Sequence, residues 1–395
     1  MGLATLCNGA YGGIAAVTVP QLLAGHGVPE PQIATITGIA FSTGIFSFLL
    51  APILDVGLSR RTYAIALGVI QAIAGAVAMA SLSNLAVLTA ALFILMLGYY
   101  LFTPAIAGWF GPILPREDEP KLGGWLAVGA ITGFGLMSAA AIVLVRALPG
   151  PVGIGVTCLI GLLPLLILGF VPQSAPRSGL RQSFGPLVGH LRHMVRDRHL
   201  LRLLVVFAAP AATFALTNTL GGLGRDYHAS EAFVGLIGGV ATSVGGVFGA
   251  LVAPLLARRL PLLAIYLGIG ALGALFTLSL LVVGRTPATY SLACIGENVF
   301  QSAAFAAAYA LALLSLGKDN PFASTQYAFL IAALVVPTTY MQFLDGWAYG
   351  PAGLAGSFWM DAGVSIVACA ILAVVFGLFW RDTLRFESVS EHGER

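Results

Sequence analysis

Apolar residues fill this chain in long runs, interrupted by short clusters of Arg, Asp, Gly, Pro and Ser. Each run is about 20 residues long, the length an α-helix needs to cross a hydrocarbon core. Twelve such runs are recognisable, near residues 3–25, 31–54, 62–82, 85–107, 122–146, 152–171, 201–220, 232–256, 261–283, 288–314, 323–345 and 356–380. The pattern predicts an all-α membrane protein with twelve transmembrane helices.

Composition agrees. The chain is 58% hydrophobic and 9% charged over 395 residues, which leaves little sequence for a soluble domain. Its 49 glycines suit helices that approach closely in lipid. The first run lacks a basic leader and a cleavage site, so it reads as a span and not as a signal peptide. Cys7, Cys158, Cys294 and Cys369 lie far apart inside spans, without metal-ligand spacing or a disulfide framework, and read as small core residues.

The net charge of +3 says little, but its distribution sets the topology. With the N-terminus in the cytoplasm, 16 of the 19 Lys and Arg fall in inner loops and the tail. Only Arg146, Arg225 and Arg285 fall outside. The positive-inside rule then places both termini in the cytoplasm, and a missed span would have scrambled the segregation.

The longest polar stretch, residues 172–200, divides the spans six and six. This predicts an N-terminal six-helix bundle over 1–171, a cytoplasmic linker over 172–200, a C-terminal six-helix bundle over 201–382 and a cytoplasmic tail over 383–395. Pro172, Pro176 and Gly179 open the linker, and its last part has the pattern of a basic amphipathic helix suited to an anionic leaflet. The second and eighth spans align without gaps at an offset of 202. Gly44 matches Gly246, Ala51-Pro52 matches Ala253-Pro254, and the basic pair Arg60-Arg61 is followed in the second half by Arg258-Arg259. A duplicated six-span unit is the organisation of many secondary transporters.

Glu297 stands out chemically. It lies near the middle of the tenth span, about 13 Å into the helix at ~1.5 Å per residue. A carboxylate at that depth costs about 2.5–3.5 kcal/mol on insertion scales, so it normally faces a pathway or a cavity. No Lys or Arg sits at a matching depth. Glu297 is therefore expected to hold a proton in one conformational state and release it in another; otherwise it is a hydrogen-bonded core residue joining helices. Asp55 falls at the inner end of the second span. Asp345 and Asp361 fall near the outer ends of the last two spans and read as interfacial or outer-gate residues. Trp109, Trp125, Trp347, Trp359 and Trp380 lie near span ends and read as interface anchors. No catalytic constellation, nucleotide-binding loop or zinc pattern is present in the sequence, and no histidine falls inside a span.

Several motifs carry a family resemblance. The segment Ala51-Pro52-Ile53-Leu54-Asp55, followed by Arg60-Arg61, resembles the loop signature of the major facilitator superfamily. Gly296-Glu297-Asn298 in the tenth span, the run ASTQYAFL over 323–330 and Gly346-Trp347 resemble the AmpG-type muropeptide permeases of the peptide/acetyl-CoA transporter family. The resemblance covers nearly the whole chain and is strongest from about 253 to 382. It implies two pseudo-symmetric six-helix bundles that rock about a cavity lined by the first, fourth, seventh and tenth spans. Asp55, Arg60 and Arg61 would then gate the cytoplasmic side. The polar residues to inspect for substrate and proton are Asn8 and Tyr11; Tyr99, Tyr100 and Thr103; Thr213, Thr217 and Asn218 beside a kink expected at Pro210; Glu297, Asn298, Gln301 and Ser302; and Gln326. Two charged features of those permeases are missing. The stretch Phe46–Pro52 has no lysine, and Leu101–Gly108 has no aspartate.

The resemblance implies proton-coupled import, by alternating access, of a polar cell-wall-derived metabolite such as an anhydromuropeptide, across a bacterial inner membrane. A permease for a siderophore or an acyl metabolite, or a non-transporting receptor that retained the fold, are the alternatives. The expected partners are a small-molecule substrate, protons and the lipid bilayer, without nucleic acid, metal or cofactor and without enzymatic activity. The sequence is compatible with a monomer.

Overall fold

Short polar side chains ahead of the apolar runs set where helices begin. Ser59 accepts the Thr62 N–H at 3.1 Å and opens the helix Arg60–Ala80. Asn84 does the same for Leu85–Phe110, Asp197 for Arg198–Ala208 and Ser230 for Glu231–Val240. Thr286 and Thr289 cap one another's backbone N–H at the start of Pro287–Leu314. Each pair satisfies donors that a helix start leaves open. The computed structural model describes residues 2–113, 115–171, 189, 196–220, 222–317 and 320–378, and all regular elements in them are helical.

Among the described residues, eight helices are long and apolar enough to cross a membrane: Gly2–Gly25, Arg60–Ala80, Leu85–Phe110, Glu119–Ala147, Gly150–Phe170, Phe233–Leu256, Leu262–Ser279 and Ala323–Leu378. Pro287–Leu314 adds a ninth long helix of 28 residues, made less apolar by its polar stripe. The predicted eleventh and twelfth spans both lie in Ala323–Leu378. Its 56 residues would reach about 84 Å at ~1.5 Å per residue, so one straight helix would overrun a bilayer. Gly353, at φ 58° and ψ −149°, breaks it in a region of backbone space open essentially to glycine alone.

Two predicted spans are discontinuous. The second is built from Glu30–Phe41, a turn at Thr43–Phe46 and two 3-10 turns, Ser47–Leu49 and Ala51–Asp55. The seventh stops at Ala208, and Ala209 to Ala215 is not helical before the short turn Leu216–Thr219. Pro210 explains the stop, because it cannot donate to the ladder. The expected kink is thus a full break, held by Phe214 at φ 47°. The linker falls mostly on residues 172–188 and 190–195, outside the described residues, as do the tail over 383–395 and Trp380.

The chain divides into two compact units. The first contains Met1–Ile113, Gly129–Met194 and Leu316–Ala332; the second contains Leu114–Val128, Val195–Ser315 and Ala333–Arg395. In the first unit, Gly9 and Gly13 on Gly2–Gly25 lie against the backbone of Ala130 and Phe134, and Gly129 and Gly133 lie against the carbonyls of Gly2 and Leu6. Each helix thus turns a glycine pair at four-residue spacing onto the backbone of the other, so the helices touch closely as small-residue stripes allow in lipid. In the second unit, Gly245 and Gly249 repeat the device against Ile295 and Val299 of Pro287–Leu314. All four cysteines are buried and free. Trp109 departs from its predicted anchor role: it is 1% exposed and packs against Phe110, whereas Trp125, Trp347 and Trp359 are exposed.

Candidate functional site

The second unit gathers three carboxyl groups in its interior. Glu297 is 1% exposed and Thr277, from the neighbouring Leu262–Ser279 helix, donates to its Oε1 at 2.5 Å. Asp345 and Asp361 are 1% and 2% exposed, and the charges of all three act on one another. Burial sets aside a solvent-facing interfacial place for them and leaves the outer-gate reading open. The break at Gly353 folds the chain between them, and Ser357 Oγ reaches back to the Asp345 carbonyl at 2.9 Å. The backbone N–H of Ala215, just past the Pro210 break, donates to Asp361. Glu297 Oε2, Asp361 Oδ1 and both Asp345 side-chain oxygens have no partner among the described residues, nor does any of the three acids pair with a Lys, Arg or His. No set of His, Cys, Asp and Glu with metal-binding geometry occurs among the described residues.

One turn along from Glu297, Gln301 crosses to the broken seventh span. Its Nε2 donates to Thr217 Oγ1 at 2.5 Å and to the Phe214 carbonyl at 3.3 Å. The Phe214 ring fills the space beside Gly273 and stacks on Phe300 at 6.0 Å, which holds the left-handed residue in place. Thr213 is buried and its hydroxyl has no partner among the described residues, and Ser302 is buried. Asn298 turns back to its own helix, donating to the Cys294 carbonyl at 2.9 Å, and Asn218 is exposed.

The predicted polar residues of the first unit take several different partners. Asn8 Nδ2 donates to Thr103 Oγ1 at 3.2 Å. Tyr11, three residues on, donates instead to the Cys158 carbonyl at 2.7 Å and packs against Gly161. Tyr99 and Tyr100 meet edge to face at 5.2 Å, with Tyr99 against Gly12 and Tyr100 against Gly44.

Asp55 and Arg60 build a second charged site, wholly within the first unit. Arg60 Nε donates to Asp55 Oδ1 at 3.0 Å and Nη2 to the same oxygen at 2.5 Å. The guanidinium also reaches the carbonyls of Gly108 and, at 3.1 Å, Pro321. Asp55 Oδ2 accepts both the N–H and the hydroxyl of Thr325 at 2.7 Å, and Oδ1 accepts the Ser324 N–H at 3.3 Å. The carboxylate thus caps the helix that begins at Ala323, where the helix dipole favours negative charge. Ser324 and Thr325 of the ASTQYAFL run serve this cap. Gln326 Oε1 accepts from Asn320 at 2.8 Å. Gly108 approaches so closely that a Cβ there would meet Ser324. Arg61 points elsewhere, to the Gly169 carbonyl at 3.1 Å. In the second repeat, Ala257 stands where Asp55 does in the first, and Arg258 and Arg259 are exposed.

Sequence reasoning singled out neither Thr277, Ser324 nor Thr325. Thr277 carries no motif, and the other two stood in the ASTQYAFL run without an assigned partner.

Residues 1–334 match the family profile of the Major Facilitator Superfamily. No curated protein matches the chain by sequence. In fold it is similar to the human organic anion transporter MFSD10, with a TM-score of 0.67 and 18% identity over 94% of this chain and 97% of that one. It is also similar to the E. coli fucose:proton symporter FucP, with a TM-score of 0.65 and 15% identity over 94% and 98%. The proton:xylose symporter XylE gives 0.67 and 16% over 95% and 94%. At these identities the likeness concerns the fold alone. The chain belongs to the Major Facilitator Superfamily and is a multi-pass membrane protein with the helical fold of its transporters.

Proposed function

We propose that the protein is a proton-coupled secondary transporter that imports a polar metabolite by alternating access, with Glu297 as the proton-carrying residue. The observation behind this reading is a carboxyl group 1% exposed on a membrane helix, held by one hydroxyl donor and paired with no cation among the described residues. A group that changes charge there changes the energy of burying it by several kcal/mol, enough to bias one conformation over another. Gln301 and Thr217, one turn away beside the broken seventh span, supply amide and hydroxyl groups suited to a polar ligand.

In this reading the chain has twelve spans in two six-helix bundles, residues 1–171 and 201–382. The linker over 172–200 and the tail over 383–395 lie in the cytoplasm of a bacterial inner membrane. Asp55 and Arg60 act as a latch: their bonds to Gly108, Pro321, Ser324 and Thr325 tie the first helix of the ASTQYAFL run to the second and fourth spans. The Gly-Glu-Asn and ASTQYAFL motifs support an anhydromuropeptide as substrate. The missing lysine in Phe46–Pro52 and missing aspartates in Leu101–Gly108 favour a related compound, a siderophore or an acyl metabolite, as the second reading.

The test is uptake into proteoliposomes of labelled anhydromuropeptide, a ferric siderophore and an acyl conjugate, each with and without an inward proton gradient. Accumulation of one compound only with the gradient supports the proposal. Equilibration without accumulation would make the protein a uniporter, and failure of all three with folded protein would discard these substrate classes.

A further inference from the structure

We infer that Asp345 and Asp361 are proton-carrying partners of Glu297, so that the coupling centre is a three-carboxyl cluster storing more than one proton. This rests on the proton-coupled reading and deepens it. The break at Gly353 folds the chain back so that Ser357, one turn before Asp361, bonds the Asp345 carbonyl, and Asp361 and Gln301, one turn from Glu297, both bond the Phe214–Ala215 segment. Each acid is at least 98% buried. A proton is the one ligand that needs no added space at such a site.

The hydrogen bonding divides the three by role. Glu297 has one oxygen held by Thr277 and leaves Oε2 open. Asp361 is held by the Ala215 N–H and leaves Oδ1 open. Asp345 has neither oxygen held, although it is as deeply buried. Among the described residues, Cys294 and Tyr227, both neutral at ordinary pH, also interact with Glu297, and Tyr290, Asp226 and the Arg285 cation interact with those two in turn. Tyr227 is itself buried with an unpartnered hydroxyl, a second polar group lodged in the same interior without a hydrogen-bond partner among the described residues. Three ionised acids close together without a cation would repel strongly, and only when two protons are bound does the cluster fall to a single negative charge. In the elementary step, a protonated Glu297 carboxyl gives its proton to the Asp361 carboxylate, leaving Glu297 ionised and Asp361 neutral. The O–H bond on one acid breaks as the other forms, and the total charge is unchanged. Asp345, with both side-chain oxygens open, is the further site to which such a proton can pass.

Infrared spectroscopy of the full-length protein in lipid vesicles, titrated with acid and base, tests this through the C=O stretch of protonated carboxyls. Wild type is expected to show more than one buried carboxyl band. Asp345→Asn and Asp361→Asn should each remove one band and shift the titration of the remainder. Asp361→Glu should restore the lost band, which a merely structural role would not require. If Glu297→Gln removes the whole buried signal while both aspartate variants titrate as wild type, Glu297 acts alone and the cluster is overturned with proton coupling left standing. If Glu297→Gln removes nothing, both readings fail.

Discussion

Asp55 and Arg60 show how one residue can set several contacts at once. Asp55 accepts from Arg60 and from three donors at the start of another helix, and Arg60 spreads its remaining donors over backbone carbonyls. Both are buried, at 3% and 4% exposure. Asp55→Ala leaves a buried guanidinium without its counter-charge, and the expected loss is about 3–5 kcal/mol. Asp55→Ala with Arg60→Met should lose clearly less than the two single changes added together. Thermal unfolding of the four proteins in one detergent measures the difference, and additive losses would mean that the pair is not coupled. Arg60→Lys should not rescue, because an ammonium cannot span the carboxylate and two carbonyls in one plane. The pair was legible in the sequence through the Ala-Pro-x-x-Asp segment and the basic doublet. Which of the two arginines would turn inward was not, since a doublet places neighbours about 100° apart on a helix and leaves its rotation open. Glu297 was legible for the opposite reason: it is a lone charge in an apolar run. Its companions Asp345 and Asp361 were placed at neighbouring span ends by the apolar runs, but their burial beside Glu297 was not, because it depends on packing between distant segments.

Glycine acts in two different ways at the scale of helices. Gly133 has an ordinary backbone, but a Cβ there would run into the Leu6 carbonyl of the facing helix. Gly133→Ala should therefore cost about 1–3 kcal/mol by overpacking. Gly353 has open space around it, and its cost on substitution comes from φ 58° alone. Gly353→Ala should lose about 1–3 kcal/mol of strain energy and loosen the return that carries Asp345 and Asp361. Gly25 has neither constraint, and Gly25→Ala should be neutral or stabilise by about 0.4–1 kcal/mol. Unfolding temperatures of the three variants rank these effects, and equal shifts would show that glycine packing is not the determinant. Most long helices were legible from the apolar runs, while the caps that fix their first residues were found only in the structure. The breaks were less legible. Pro210 announces an interruption, yet a seven-residue gap needs the Phe214 ring locked between Gly273 and Phe300, a contact between distant segments.

At the scale of the whole molecule, the fold and family follow from sequence and structure together, and transport rests on whether the buried acid responds to a proton gradient. Charge segregation, the gapless repeat and the apolar runs made the helical membrane class legible in the sequence. Substrate identity was not, because ligand recognition depends on where side chains converge. Asn8 and Tyr11, neighbours on one helix face, turn to different partners. The central claim is that Glu297 couples substrate movement to protons. The most direct measurement compares wild type with Glu297→Gln in proteoliposomes under two regimes: uptake driven by an inward proton gradient, and exchange of labelled for unlabelled substrate with no gradient. Glutamine preserves shape and the Thr277 contact but cannot ionise. The account predicts at least a tenfold loss (~1.4 kcal/mol) of gradient-driven accumulation with exchange retained. Accumulation by Glu297→Gln equal to wild type would contradict it.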